Sequence, residues 1–497
     1  MIQHCPALLV VVPLISALLV AACGWFAKRA CFPIAVAGLG TSAYCCARIF
    51  TKVILTGPLS YHLGGWPPPW GIAYQIDGLN GIVLVAVSAI AFLNLVATGK
   101  EVGEAFPDRS FAFYSLYLLF VTGLLGIVVT GDLFNLYVLI EITAITGYAL
   151  IAMGDKRRAP IASLHYLFMG TVGASFYLLG VGFIYTKTGS LNMADVSSLL
   201  PPLYNSKAIL IAFLLCMVGA MIKMGLFPVH VWLPNAYTYA PGPVGSLMAP
   251  LATKVMVYVM VRLVITVFTT KYAFGVLQLS QFLVWLGSLA IFAGAFFALS
   301  QRNLRRMLTY IIVSEIGYMI GGVWLGNKTA MAGAILHLVN DTLMTFCVFL
   351  AAVAIGNRLG SLEISNLKEL FSKMPFTMAG LVAGALSIIG VPPTCGFFSK
   401  WYLISGALEA GNYVFVVALL FSSLVSVILF FRVFEVSLFG EGSHGEHGSH
   451  GTVEIEEASI SIVIPLLIVA VSLVILGVSS GYIVSRVIMP VISGSFM

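Results

Sequence analysis

Ten ionisable side chains fall inside apolar stretches of this 497-residue sequence, and all are of types that bind and release protons or pair with groups that do. Glu141, Lys223, Lys254, Arg262, Glu315, Asp341 and Lys400 are charged, and His165, His230 and His337 join them. On insertion scales a charge at the bilayer centre costs about 2.5–3.5 kcal/mol, so each such residue needs a partner or a task. The signs alternate along successive stretches, which favours a transport path over isolated structural pairs. The chemistry is proton relay. A desolvated lysine loses affinity for its proton and a nearby carboxylate restores it, so moving the carboxylate switches the ammonium between charged and neutral. Histidine, with an unperturbed pKa of about 6.5, suits the middle of such a chain.

The segments around these residues are built to break. Lys223 lies five residues before Pro228 in MVGAMIKMGLFPVHVWLP. Proline removes a backbone donor and crowds the preceding turn, so the helix is expected to interrupt there. Interrupted helices at membrane depth occur only inside protein or along a wet cavity. Lys400 repeats the arrangement in SIIGVPPTCGFFSKWYLISGAL, where it follows Pro392, Pro393 and Gly396. One broken span with a lysine in each of two units, 111–268 and 278–434, points to a duplicated plan, although lysine and proline come in opposite order.

The elements that position these residues are membrane helices. Sixty per cent of the residues are hydrophobic and 9% are charged, against about 25% charged in a soluble domain. Apolar runs of about 20 residues recur along the chain, each long enough to cross a hydrocarbon core. They predict an all-α polytopic membrane protein of about 14 spans, at 6–24, 33–53, 78–98, 111–129, 133–153, 160–186, 208–228, 243–268, 278–300, 306–325, 330–355, 376–408 (broken), 412–434 and 459–484. Pro6–Gly24 reads as the first span rather than a leader, since it has no basic start. Gly57–Asp77, with Gly-Gly and three prolines between β-prone runs, reads as a short external β-hairpin.

Basic residues concentrate in loops after odd-numbered spans, Lys156, Arg157, Arg158, Arg302, Arg305 and Arg306 among them. The positive-inside rule makes those loops cytoplasmic and puts both termini outside. Eight cysteines show no C-x-x-C spacing, so no metal or iron–sulfur site and no cofactor is expected. His444, His447 and His450 punctuate a Gly/Ser-rich acidic loop, which reads as a solvated connector or a weak metal binder. Asp77, Asp132 and Asn135 start spans and read as caps. Arg262, near the end of its span, reads equally as a snorkelling side chain.

Four segments together resemble a known family: GDLFNLYVLIEI (131–142), KMGLFPVHVWLPNAY with APGPVGSLMAPLATKVMVYVMVR (223–262), NLRRMLTYIIVSEIGYM (303–319) and GVPPTCGFFSKW (390–401). They are similar to the proton-translocating antiporter-type membrane subunits: Mrp cation/proton antiporter subunits, the antiporter-like subunits of respiratory complex I and those of membrane-bound hydrogenases. The hairpin and the D-L-F-N segment look most like the Mrp D-type and hydrogenase-type branch. The resemblance implies two inverted five-helix repeats containing broken helices. It implies that Glu141 pairs with Lys223, that Lys254 links two half-channels, and that His337 and Lys400 continue the path. His230, Trp232 and Pro234 match the H-x-W-L-P signature after the first break. The sequence departs from the family at His165, where a lysine is frequent, and at Asp341 and Thr345, where a second histidine and a lysine are frequent. Either Glu315, frequently glutamine in relatives, compensates for the missing lysine, or the second half is partly ornamental and only the first half conducts.

The expected organisation is residues 1–110 as three helices with the hairpin, 111–268 as a first repeat, 278–434 as a second, and 435–497 as the His/Gly-rich loop with a last helix. The expected function is proton translocation within a multisubunit membrane complex of the Mrp type, in exchange for Na+ or another cation. The expected path is Glu141, Lys223, Lys254, His337, Lys400, His230, Glu315, Asp341 and His165. A redox-driven complex of the hydrogenase or NADH:quinone oxidoreductase type, or a non-transporting scaffold, are the alternatives. Self-contained catalysis is not expected. The expected partners are other membrane subunits, protons, Na+ and lipid, without nucleic acid, in a prokaryotic cytoplasmic membrane.

Overall fold

A computed structural model describes residues 4–439 and 456–495. The histidine-rich loop, His444, His447 and His450 included, lies outside the described residues. The helices are α1 (Cys5–Cys23), α2 (Lys28–Thr56), α3 (Gly78–Ala105), α4 (Ser110–Val129), α5 (Leu133–Ala152), α6 (Ala159–Thr188), α7 (Met193–Leu199), α8 (Lys207–Met224), α9 (Trp232–Tyr239), α10 (Gly242–Arg262), α11 (Ser280–Leu299), α12 (Leu304–Trp324), α13 (Lys328–Leu359), α14 (Leu370–Lys373), α15 (Pro375–Ile389), α16 (Cys395–Glu409), α17 (Tyr413–Phe439), α18 (Ile460–Ile483) and α19 (Met489–Ser495). Thirteen of the described helices are long and apolar enough to cross a membrane. The pair α15 and α16 makes a fourteenth, broken span, and each expected span has its helix. The short helices α7 and α9 lie between spans, where hydropathy gives no signal for them.

Strands β1 (Leu59–His62) and β2 (Ala73–Ile76) pair antiparallel, Leu59 opposite Ile76 and His62 opposite Ala73. The hairpin is tied to the body where Gly131 N donates to Ala73 O at 2.9 Å. Asp77 then caps α3: its carboxylate accepts from the backbone N–H groups of Leu79 and Asn80, and Asn80 reciprocates at the Asp77 N–H. Asp132, Asn303 and Asn327 cap α5, α12 and α13 in the same way, supplying acceptors to otherwise unpaired N–H groups.

Arg262 does not snorkel. Its guanidinium is held 2.6 Å from Asp77 and 2.9 Å from the Tyr258 hydroxyl, so one aspartate both caps α3 and anchors the end of α10. Beyond Arg262 the chain continues as wide π-helical turns at Leu263–Val267 and Lys271–Val276.

Helices α10, α12 and α13 are almost wholly buried, and α13 packs against α3, α10, α12, α15, α16 and α18. Apolar residues alone give little reason for membrane helices to associate, so close backbone approach matters. Between α6 and α8 a Cβ on Gly219 would sit 2.6 Å from the Gly173 carbonyl oxygen, a contact only glycine permits. A buried network fixes α10 against α3 and α4: Asn94 donates to the Tyr117 hydroxyl and the Pro243 carbonyl, and accepts from Ser246.

Candidate functional site

The two broken spans end their first halves identically. Helix α8 stops at Met224, four residues before Pro228 where the proline alone places the break, because Gly225 takes a left-handed φ of 76°. Leu226 N then donates to Met221 O at 3.1 Å, closing the helix with a Schellman turn. Helix α15 stops at Gly390, φ 91°, and Val391 N donates to Leu386 O at 2.9 Å in the same pattern. Each glycine is followed three residues later by a proline, Pro228 and Pro393.

This resolves the opposite order of lysine and proline. Lys223 occupies the last turn of α8, while Lys400, on the first turns of α16, reaches back to the end of α15. Lys400 Nζ donates to the carbonyls of Ile388 at 2.6 Å and Ile389 at 3.4 Å. The Lys400 ammonium therefore sits at the negative, C-terminal end of α15, and Lys223 is carried on the last turn of α8, the ends where unpaired carbonyls favour a cation.

Around the first break, Lys223 Nζ lies 3.6 Å from Glu141 Oε1 on α5. The lysine side chain is 5% exposed and the glutamate 26%, so the pair sits at the flank of the chain. The Trp232 indole donates to the Ile222 carbonyl at 3.0 Å, occupying an acceptor beside the lysine. Tyr166 stacks on Trp232 at 4.1 Å between ring centroids, and Tyr148 meets Tyr166 edge-on at 4.6 Å. His230 lies in the break itself, buried against the rings of Phe227, Phe297 and Tyr310.

The second cluster gathers along α13. Lys254 on α10 is fully buried and lies 3.1 Å from Asp341 on α13. Its ammonium also donates to the Thr345 hydroxyl and the Ala249 carbonyl, each at 3.2 Å, and Thr345 in turn donates to Asp341 at 2.8 Å. One turn along α13, His337 Nε2 lies 2.5 Å from Glu315 on α12, and its Nδ1 lies 2.9 Å from the Ser399 hydroxyl on α16. The Tyr318 ring touches His337 at 5.3 Å and Lys400 at 5.0 Å, and Lys400 donates to Ser423 on α17 at 3.1 Å. His337, Asp341 and Thr345 are spaced four residues apart and so share one face of α13.

Most of the expected residues therefore come together in two groups, Glu141 with Lys223, and Lys254, Asp341, His337, Glu315 and Lys400. No hydrogen bond or ion pair among the described residues joins the groups. His165 is not brought to either: it lies on an exposed face of α6 and makes no hydrogen bond or ion pair among the described residues. The hydroxyls of Ser399 and Ser423 and the ring of Tyr318 escape the sequence reading, and Thr345 enters it only as a departure from the family, although its place four residues after Asp341 and that of Ser399 beside Lys400 are available signals. Among the described residues no group of three or more His, Cys, Asp or Glu is arranged to hold a metal ion.

Comparison with known proteins fits this geometry. Residues 130–426 match the family described as NADH:quinone oxidoreductase/Mrp antiporter, TM. The chain is 42% identical to an NADH-quinone oxidoreductase subunit N of Desulforudis audaxviator over 98% of both chains. It is 29% identical to the D-type subunit of the Na(+)/H(+) antiporter of Bacillus subtilis over 81% of this chain and 80% of that one. Among solved structures, a chain of the membrane-bound sulfane sulfur reductase, an archaeal respiratory membrane complex, superposes with a TM-score of 0.89 at 29% identity, covering 98% of this chain and 96% of that chain. A chain of the Mrp complex of Dietzia sp. DQ12-45-1b has the same fold, with a TM-score of 0.86 at 23% identity over 99% of this chain and 97% of that one.

Proposed function

Because the chain belongs to the transmembrane NADH:quinone oxidoreductase/Mrp antiporter family, we propose that it is a proton-translocating subunit of a multisubunit membrane complex. The observation that carries this reading is the buried row of lysines and carboxylates at two equivalent helix breaks. Glu141 holds the charged form of Lys223, and withdrawal of Glu141 releases its proton. Lys254 exchanges its proton within the Asp341–Thr345 contact, and His337 carries it between Glu315 and Ser399 towards Lys400. His230 lines the first break, and His165 has no place in the relay. The two breaks support a division into repeats at 111–268 and 278–434. The excess of basic residues in the odd-numbered loops supports both termini lying outside, and the bacterial relatives support a prokaryotic cytoplasmic membrane.

The coupling has two readings. Exchange of protons for Na+ or another monovalent cation follows from the relatives named as D-type subunits of Na(+)/H(+) antiporters. Coupling to a redox module, which would make the chain part of an oxidoreductase, is favoured by the 42% identity to a subunit N along nearly the whole chain. A scaffold that has lost transport is the remaining alternative.

The test is proton flux in vesicles carrying the whole complex, with native chain, Lys223→Ala or Glu141→Ala. Both variants are expected to reduce flux about a hundredfold, the scale of a lost proton-transfer group, with assembly intact. Native rates in both would leave only the scaffold. Flux driven by a Na+ gradient alone supports antiport, whereas flux that requires an electron donor and quinone supports the redox module.

A further inference from the structure

Where the base of the hairpin meets residues 269–275, 326 and 486–494, a cavity of about 1360 Å³ opens between helices. All three π-helical segments among the described residues, Leu263–Val267, Lys271–Val276 and Val484–Ile488, contribute to its wall. π-turns are rare and are frequently found at functional sites. Thr269, which also lines the cavity, holds a left-handed φ of 67° and is tied to the Tyr204 hydroxyl at 2.9 Å. Local departures from regular helix thus widen one place.

The wall has two characters. Ile54, Ile265, Phe274 and Val487 give it an apolar side that continues onto the exposed apolar surface of α2. Its charged residues are Arg262, Lys271, Arg486 and Asp77. Asp77 and Arg262 neutralise each other at 2.6 Å. Lys271 and Arg486 are exposed and make no hydrogen bond or ion pair among the described residues, so the cavity carries two uncompensated positive charges at the level where spans end.

We propose that this cavity is a binding site for an anionic phospholipid, with the phosphate between Lys271 and Arg486 and the acyl chains along the apolar wall. Two cations beside an apolar groove suit such a headgroup, whose phosphate accepts charge-assisted hydrogen bonds from lysine and arginine. A free phosphate would use the cations and leave the apolar wall unused. A zwitterionic lipid would fill the wall and leave the cations unbalanced. The site is separate from the lysine row and does not depend on what drives it.

The test uses the whole complex, delipidated in detergent, and native mass spectrometry after addition of phosphatidylglycerol, phosphatidylcholine or inorganic phosphate. Phosphatidylglycerol is expected to be retained in preference to phosphatidylcholine. The Lys271→Gln/Arg486→Gln double variant is expected to hold it about thirtyfold less well, from the roughly fivefold that each cation contributes. Equal retention of the two lipids, an unchanged double variant, or displacement of the lipid by inorganic phosphate would each overturn the proposal. A photoreactive benzoylphenylalanine in place of Ile54 should crosslink to lipid in native membranes, and a crosslink to another polypeptide instead would overturn the proposal by showing that a neighbouring subunit fills the cavity.

Discussion

A single hydroxyl, that of Thr345, receives a hydrogen bond from Lys254 and donates one to Asp341. Thr345→Val keeps the shape and removes both bonds, leaving buried polar groups short of partners at a cost of about 1–3 kcal/mol. Thermal unfolding of the assembled complex should show that loss, and Thr345→Ser should restore stability. Glu315→Gln addresses the other arm. The amide cannot take up a proton from His337, so flux is expected to fall about a hundredfold, measured in the same vesicles, while the neutral hydrogen bond keeps the fold. The charged members of both arms are legible in the sequence because charges in apolar runs are rare. The hydroxyls are not, because serine and threonine in membrane helices commonly bond their own preceding turn, as Thr342 does to Leu338. His165 is the converse case: its type and its position in the sixth span nominate it, and the structure carries it on an exposed face of α6, away from both groups.

Among the elements, the half-helix ends govern where the lysines stand. Gly225 and Gly390 are in the left-handed region, which costs an L-residue with a side chain about 1–2 kcal/mol. Gly225→Ala and Gly390→Ala are each expected to lower the melting temperature of the complex and, by shifting the half-helix end, to depress flux as well. Unchanged flux in both would separate the cap from the function of its lysine. The prolines locate both breaks in the sequence but misplace the end of the first helix, since the glycine that terminates it stands three residues earlier. Opposite order of lysine and proline hides the equivalence of the two sites. It becomes visible only when Lys400 is seen to fold back onto the carbonyls of α15.

For the whole molecule, α13 is the axis: it meets α10, α12 and α16, which bring Lys254, Glu315 and Ser399 to one of its faces. Hydropathy recovers the number and approximate positions of the spans, yet it cannot order them in space. Helices buried on every side, such as α10 and α13, have no exposed face from which a packing direction can be read. The architecture predicts which substitutions interact. Glu315→Gln and His337→Ala share a contact, so their effects on melting free energy should be non-additive by about 0.5–3 kcal/mol. Glu141→Gln and Asp341→Asn lie in separate groups and should add to within about 0.5 kcal/mol.

The composition of the buried row has one more consequence. Three buried lysines, Lys223, Lys254 and Lys400, accompany three carboxylates, Glu141, Glu315 and Asp341, so a row with all six ionised and His337 uncharged would be electrically neutral. One added proton turns it into a net cation in a medium of low polarisability, and a second would have to enter against that charge. On the proposed relay, a row of this composition would hold one proton in excess at a time, each arrival favouring a departure before the next.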